Sequence, residues 1–139
     1  MPVILNWRKQ GLRGQSGSAI VEFTLIALMF FMLVFGLVEF GRAIFDYSLV
    51  SSLAREGVRW ASVRGSGSGH TATATDVSTY VQGKAAGLPV TVTTTWTPNK
   101  NPGSTVSVQV QYTFRSVAPV LLSLGTIPLH STSSMVIVQ

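Results

Sequence analysis

The sequence predicts an α+β protein. A long N-terminal transmembrane helix continues into a small extracytoplasmic head with an antiparallel sheet. Three observations predict this. Sixteen consecutive residues, Phe23 to Val38, carry no charge. Apolar side chains then recur at spacings of three and four as far as Ala61, the signature of a helix face. After residue 90 the period changes to two, the signature of half-buried strands.

The totals set the frame. The chain has 139 residues, room for one modest domain, with 46% hydrophobic and 11% charged residues. That is too apolar for a disordered chain and light in charge for an ordinary soluble domain. There is no cysteine, which rules out disulfides and Cys-based zinc sites. The net charge is +5, but Arg8, Lys9 and Arg13 all precede the apolar run. Beyond the first 17 residues, seven basic side chains face five acidic ones, or +2. The basicity belongs mainly to a membrane flank, and no basic stripe with interleaved aromatics points to nucleic acid.

The first element is the span. Ala19 to Val38 has the roughly 20 residues needed to cross a hydrocarbon core, with Phe23, Leu28 and Phe31 among its apolar residues. Its N-terminal flank is basic, and its C-terminal flank begins at Glu39 and mixes Arg42 with Asp46. The positive-inside bias puts residues 1–17 in the cytoplasm and the C-terminal part outside it. A cleavable signal peptide would need small residues just after the run. Val34-Phe35-Gly36 and Leu37-Val38-Glu39 serve that purpose poorly. A plain signal anchor is the other simple reading.

Neither simple reading explains Glu22. An acidic residue at a helix centre costs about 2.5–3.5 kcal/mol on insertion, and less near the interface. Ionisable groups in a span are functional candidates that normally have a partner of opposite charge. The next basic side chain is Arg42, about 30 Å along the helix.

The stretch Gly17-Ser-Ala-Ile-Val-Glu-Phe23, behind a basic leader and before an uncharged run, resembles the processing site of type IV pilin-like proteins. Residues 12–63, including Ala54-Arg-Glu-Gly-Val-Arg-Trp-Ala61, resemble more closely the TadE-like pseudopilins of the Tad (Flp) pilus system. The resemblance implies that a membrane-embedded aspartyl prepilin peptidase cuts between Gly17 and Ser18, with glycine required because little side chain is tolerated there. It implies that Glu22 becomes the fifth mature residue and pairs with an N-terminal amine during assembly. The implied partners are the peptidase, other pilin and pseudopilin subunits, the Tad inner-membrane assembly platform and the lipid bilayer. The implied location is the bacterial inner membrane, single-pass, with possible incorporation in a pilus.

Beyond Val38 the helix is expected to run to residue 63. Phe40, Ile44, Tyr47, Val50, Ala54, Val58 and Ala61 would form its inner face. Arg42 and Asp46 form an i,i+4 pair on the intervening face. Arg55, Glu56 and Arg59 also lie there, as a solvated face and candidate subunit contacts. One helix of 45 residues would be about 68 Å long. Gly36, Gly41 and Gly57 weaken it by about 1 kcal/mol each relative to alanine.

The expected organisation is therefore a cytoplasmic leader over residues 1–17, a membrane half over 18–38, an extracytoplasmic half over 39–63, a Gly/Ser/Thr linker over 64–75 and an α+β head over 76–139. Asp76 is expected to N-cap a short helix with Val77, Tyr80, Val81 and Ala85 on one face, ended by Gly87 and Pro89. Val90 to Trp96 and Val106 to Phe114 are expected strands, joined by a turn-rich loop over Thr97 to Ser104. A third strand is expected over Ser131 to Gln139, after an apolar connection containing Pro119 and Pro128. Residues 40–61 of the helix are expected to cover the sheet.

No catalytic constellation emerges. His70 and Asp76 are close in sequence, in a polar segment that reads as solvated. There is no H-E-x-x-H, G-x-S-x-G or metal-ligand cluster, and the expectation is no enzyme, no cofactor and no metal. Trp60 and Trp96 read as core or interface residues, and Trp7 as an interfacial anchor. The competing functional reading is an unprocessed, signal-anchored envelope protein whose external domain is a binding module.

Overall fold

In a computed structural model of the chain, the described residues are Met1, 15–117 and 125–138. Trp7, Arg8, Lys9 and Arg13 of the expected leader lie outside them, as does Pro119. The elements are α1 (Gln15–Ser62), α2 (Ala74–Lys84), β1 (Thr91–Thr97), β2 (Thr105–Arg115) and β3 (Thr126–Val136). The sheet is antiparallel in the order β1-β2-β3, so the α+β class is as expected. The chain divides into two units, Met1–Leu37 and Val38–Gln139.

Apart from Met1, the described part of the first unit is helix alone. Its side chains from Ile20 to Leu37 are mostly exposed and apolar. The most apolar window of α1 has a mean hydropathy of 2.5 and none of it is buried. It is long and apolar enough to cross a membrane. Backbone hydrogen bonds satisfied within one segment suit a helix to that setting.

The second unit has its own core. Val50, Leu53, Ala54, Val58 and Ala61 of α1 meet Val77, Val81 and Ala85, the sheet residues Val106, Val108 and Val110, and Ile137. The β2 valines alternate with Ser107 and Gln109 on the opposite face, which is why the period-two reading finds this strand. Residues 38–62 of α1 run alongside β2 in the opposite direction. Glu39 bonds Val117, Gly57 meets Val108, and the Ser62 carbonyl accepts from the Val138 N–H.

Gly57 has a packing reason that its sequence context hides. A Cβ there would stand 2.8 Å from Val81 Cγ2 and 3.1 Å from Val108 Cγ1. The helix comes this close to α2 and β2 only because residue 57 has no side chain.

Several expectations need correction. Phe40, Ile44 and Tyr47 are exposed, whereas Glu39 and Asp46 are buried. The helical period alone does not separate them: Val58 lies eighteen residues, or five full turns, beyond Phe40 and is buried. Residues 50–61 have the α2 and sheet surface beside them, and Phe40, Ile44 and Tyr47 precede it. Arg42 pairs with Glu39 at 3.1 Å, one turn back, rather than with Asp46. The helix N-cap is Thr73, with Asp76 at the third helical position. Together they make a reciprocal capping box, which needs a hydroxyl three residues before the acid. The third strand starts at Thr126, and Pro128 sits within it opposite Thr113. Proline is tolerated there because β3 is an edge strand and its outward side needs no donor.

The segment read as a free linker is tied down. Ser66 donates its N–H to the Lys100 carbonyl (2.8 Å) and its hydroxyl to Asn101 Oδ1 (2.7 Å). Lys100 Nζ donates back to the Ala72 carbonyl at 2.8 Å. The polar Gly/Ser/Thr composition here supplies partners for the β1–β2 loop.

Candidate functional site

The sequence points first to Gly17, Ser18 and Glu22. All three are exposed on α1, as are Ala19, Phe23, Leu28, Phe31 and Val38. A Cβ on Gly17 would meet nothing within 4 Å. Packing in this fold therefore places no demand for glycine at position 17, in contrast to position 57.

The Gly17–Ser18 peptide lies near the N-terminal end of the described part of α1. Glu22 lies four residues on from Ser18, about 6 Å along the axis. Among the described residues it has no hydrogen bond or ion pair. The neighbouring Thr24 hydroxyl satisfies itself by donating to the Ile20 carbonyl at 2.8 Å.

A second carboxylate, Glu39, went unnoticed as a site. Only 5% of the residue is exposed. Its Oε1 accepts from the Val117 N–H (3.0 Å) and from Arg42 Nη1 (3.1 Å), while Oε2 has no partner among the described residues. The Arg42 guanidinium also lies 5.4 Å over the Phe114 ring. The group fastens the end of β2 to α1. The i,i+3 spacing of Glu39 and Arg42 is the sequence signal for this pair, and it competes there with the i,i+4 spacing of Arg42 and Asp46.

The candidate contacts Arg55, Glu56 and Arg59 separate. Glu56 accepts a 2.7 Å hydrogen bond from the Tyr80 hydroxyl and has Lys84 Nζ at 3.6 Å. The Tyr80 bond, together with nearby Lys84 and Arg59, holds its carboxyl below the ordinary value. The same Tyr80 hydroxyl and Glu56 raise Lys84. Glu56 thus ties α1 to α2 within the head. Arg55 and Arg59 are exposed, with Arg55 donating to the Ser51 hydroxyl at 3.0 Å.

Trp60 stacks on Tyr80 at 5.0 Å between ring centres, and the Arg64 guanidinium covers its ring at 4.0 Å. Beside them is an open cleft of about 540 Å³ that His70 and Asp76 also line. Asp76 is committed to Thr73: the hydroxyl at 2.7 Å and the backbone N–H at 2.9 Å hold its carboxyl below the ordinary value. Among the described residues no cluster of three or more His, Asp or Glu is placed to hold a metal ion.

No curated protein and no solved structure matches the chain. The family model described as TadE-like protein matches residues 17–59, which is most of α1 and none of the sheet. That match and the apolar helix fit a membrane protein associated with a Tad pilus system. Over Gly17–Arg59, within α1, the chain is similar to TadE-like proteins.

Proposed function

We propose that the chain is a minor pilin-like (pseudopilin) structural subunit of a Tad pilus, made as a membrane precursor and cut by a prepilin peptidase after Gly17. The observation that carries this reading is the isolation of Glu22. It is an acidic group with no partner among the described residues, at the start of an exposed apolar helix and one turn beyond a glycine that packing does not require. Cutting after Gly17 creates a positive α-amino group on Ser18. A neighbouring copy can present that charge to Glu22. A carboxylate left alone in lipid and one paired there differ by several kcal/mol in principle. The pairing therefore favours the subunit in register with its neighbour. Residues 1–17 act as the leader on the cytoplasmic side, 39–139 stand outside it, and the exposed Arg55 and Arg59 offer subunit contacts.

The test is co-expression with the cognate prepilin peptidase, followed by mass spectrometry of the purified chain. The expected mature N-terminus is Ser18, and Gly17→Val is expected to abolish the cut. Chains that still begin at Met1 or Pro2 would sink the proposal in favour of an unprocessed anchored binding module. Glu22→Ala is expected to insert normally but to impair pilus assembly. Normal pili in that variant would remove the pairing mechanism.

A further inference from the structure

Between Val38 and Tyr47, α1 sorts its side chains in the reverse of the soluble pattern. Its charged residues turn inward: Glu39 and Asp46 are buried, and Arg42 is partly covered and paired with Glu39. Its apolar residues turn outward, with Val38, Phe40, Ile44, Phe45 and Tyr47 each between 51% and 67% exposed. Val117 joins them. Its N–H bond to Glu39 brings the end of β2 to this level, and its side chain is 76% exposed.

The breadth of this surface limits what covers it. At 3.6 residues per turn, Phe40, Ile44, Phe45 and Tyr47 span an arc of about 160°. One helix of a second copy covers a narrower seam and would leave Phe45 or Tyr47 in water. Lipid covers the whole arc: Tyr suits the boundary between headgroups and hydrocarbon, and Phe can dip from there toward the acyl chains.

We propose that Phe40, Ile44, Phe45, Tyr47 and Val117 seat the head in the headgroup layer of a lipid bilayer, an inference that rests on the membrane-spanning reading of α1. Phe40 to Tyr47 rises about 10 Å along the helix, while one headgroup layer is about 5–8 Å thick. The hydrocarbon boundary on the head's side then falls near Arg42. A span of about 20 residues counted back from there reaches Phe23. The hydrocarbon segment becomes residues 23–42 in place of the expected 18–38, and Glu22 comes to rest at the far boundary. The exposed Arg115 lies near phosphate depth, where its long stem lets the guanidinium group reach the headgroups.

The chain has no cysteine, so each introduced one is a unique label site. The experiment uses the full uncut chain with Ile44→Cys, Phe45→Cys, Ser52→Cys or Phe31→Cys. Each variant carries an environment-sensitive fluorophore in phosphatidylethanolamine–phosphatidylglycerol vesicles containing nitroxide lipids. Labels at 44 and 45 are expected to shift to the blue and lose most of their emission to shallow nitroxides. The label at 52 is expected to respond to aqueous iodide instead, and the label at 31 to deep nitroxides. Iodide quenching at 45 without nitroxide quenching overturns the proposal. So does disulfide cross-linking between copies at 45 without nitroxide quenching, which would make a second copy the occupant. Escape of the label at 31 from deep nitroxides overturns the spanning reading and this inference together. Processing is not involved, so failure of the peptidase cut leaves this result standing.

Discussion

Leu28 and Val58 are similar side chains on the same helix, yet Leu28 is 52% exposed and Val58 is 1% exposed. The difference separates the two units. Around Val58 the chain supplies its own apolar partners from α2 and β2. Around Leu28 the chain supplies none among the described residues, and its surroundings must do so. The head is stabilised by its own fold, whereas the N-terminal half of α1 is stabilised by its medium. One helical pattern in a sequence can thus serve two different solvents.

The sharpest way to break this comparison is to place the same charge in both units. Val58→Asp buries an unpaired carboxylate and is expected to cost on the order of 4 kcal/mol or more, enough to unfold a marginal head. Thermal melts and limited proteolysis of the detergent-solubilised chain would read this. Leu28→Asp is expected to leave that melt unchanged and to penalise membrane insertion by about 2.5–3.5 kcal/mol. Equal melts for both variants would mean that the head core is not built as described.

A smaller effect sharpens the contrast between two glycines. Gly57→Val pushes into Val81 and Val108 and is expected to destabilise the head by about 1–3 kcal/mol in denaturant titration. Gly17→Val meets nothing and is expected to leave head stability unchanged, so any loss of processing it causes is not a folding defect.

The smallest expected effect is a pH dependence confined to the head. The folded state lowers the carboxyl values of Glu56 and Asp76 from ordinary values of 4.5 and 3.8. A lowered value means that the unfolded chain binds the proton more readily. Their contribution is therefore present above those ordinary values and fades as the pH falls below about 4.5 toward the folded values. Lys84 is raised, so its contribution is present below 10.5 and fades as pH rises beyond it. Tyr80→Phe is expected to flatten the acid limb by removing the main cause at Glu56. Melts between pH 3 and pH 7, with the unflattened limb as the failing result, would check it.

The course of α1 and the positions of β1 and β2 were readable in the sequence, because burial there follows a strict period. The inner face of α1 was not readable before Val50. Phe40 and Ile44 are as apolar as Val50 and Val58, and only the partner surface decides which stripe is covered. β3 was half hidden by Pro128, whose edge position becomes visible only once the strand order is known. Glu39 escaped notice because its partner, the Val117 backbone N–H, lies 78 residues away and has no side-chain signature. Gly57 looked like a tolerated weakness because a close approach is a property of three elements at once. Gly17, Ser18 and Glu22 stand out by a local pattern, a basic leader on one side and an uncharged run on the other, and their role is a proposal.

The course of α1 beside β2 has a mechanical consequence. A pull directed along residues 38–62 would be parallel to the strand they lie against. Glu39 on Val117, Gly57 against Val108 and Ser62 on Val138 are spread along that length. Loaded in shear, such attachments share the force at the same moment, whereas a perpendicular tug would open them one after another. A protein hauled by this helix would carry the strain in its strongest direction.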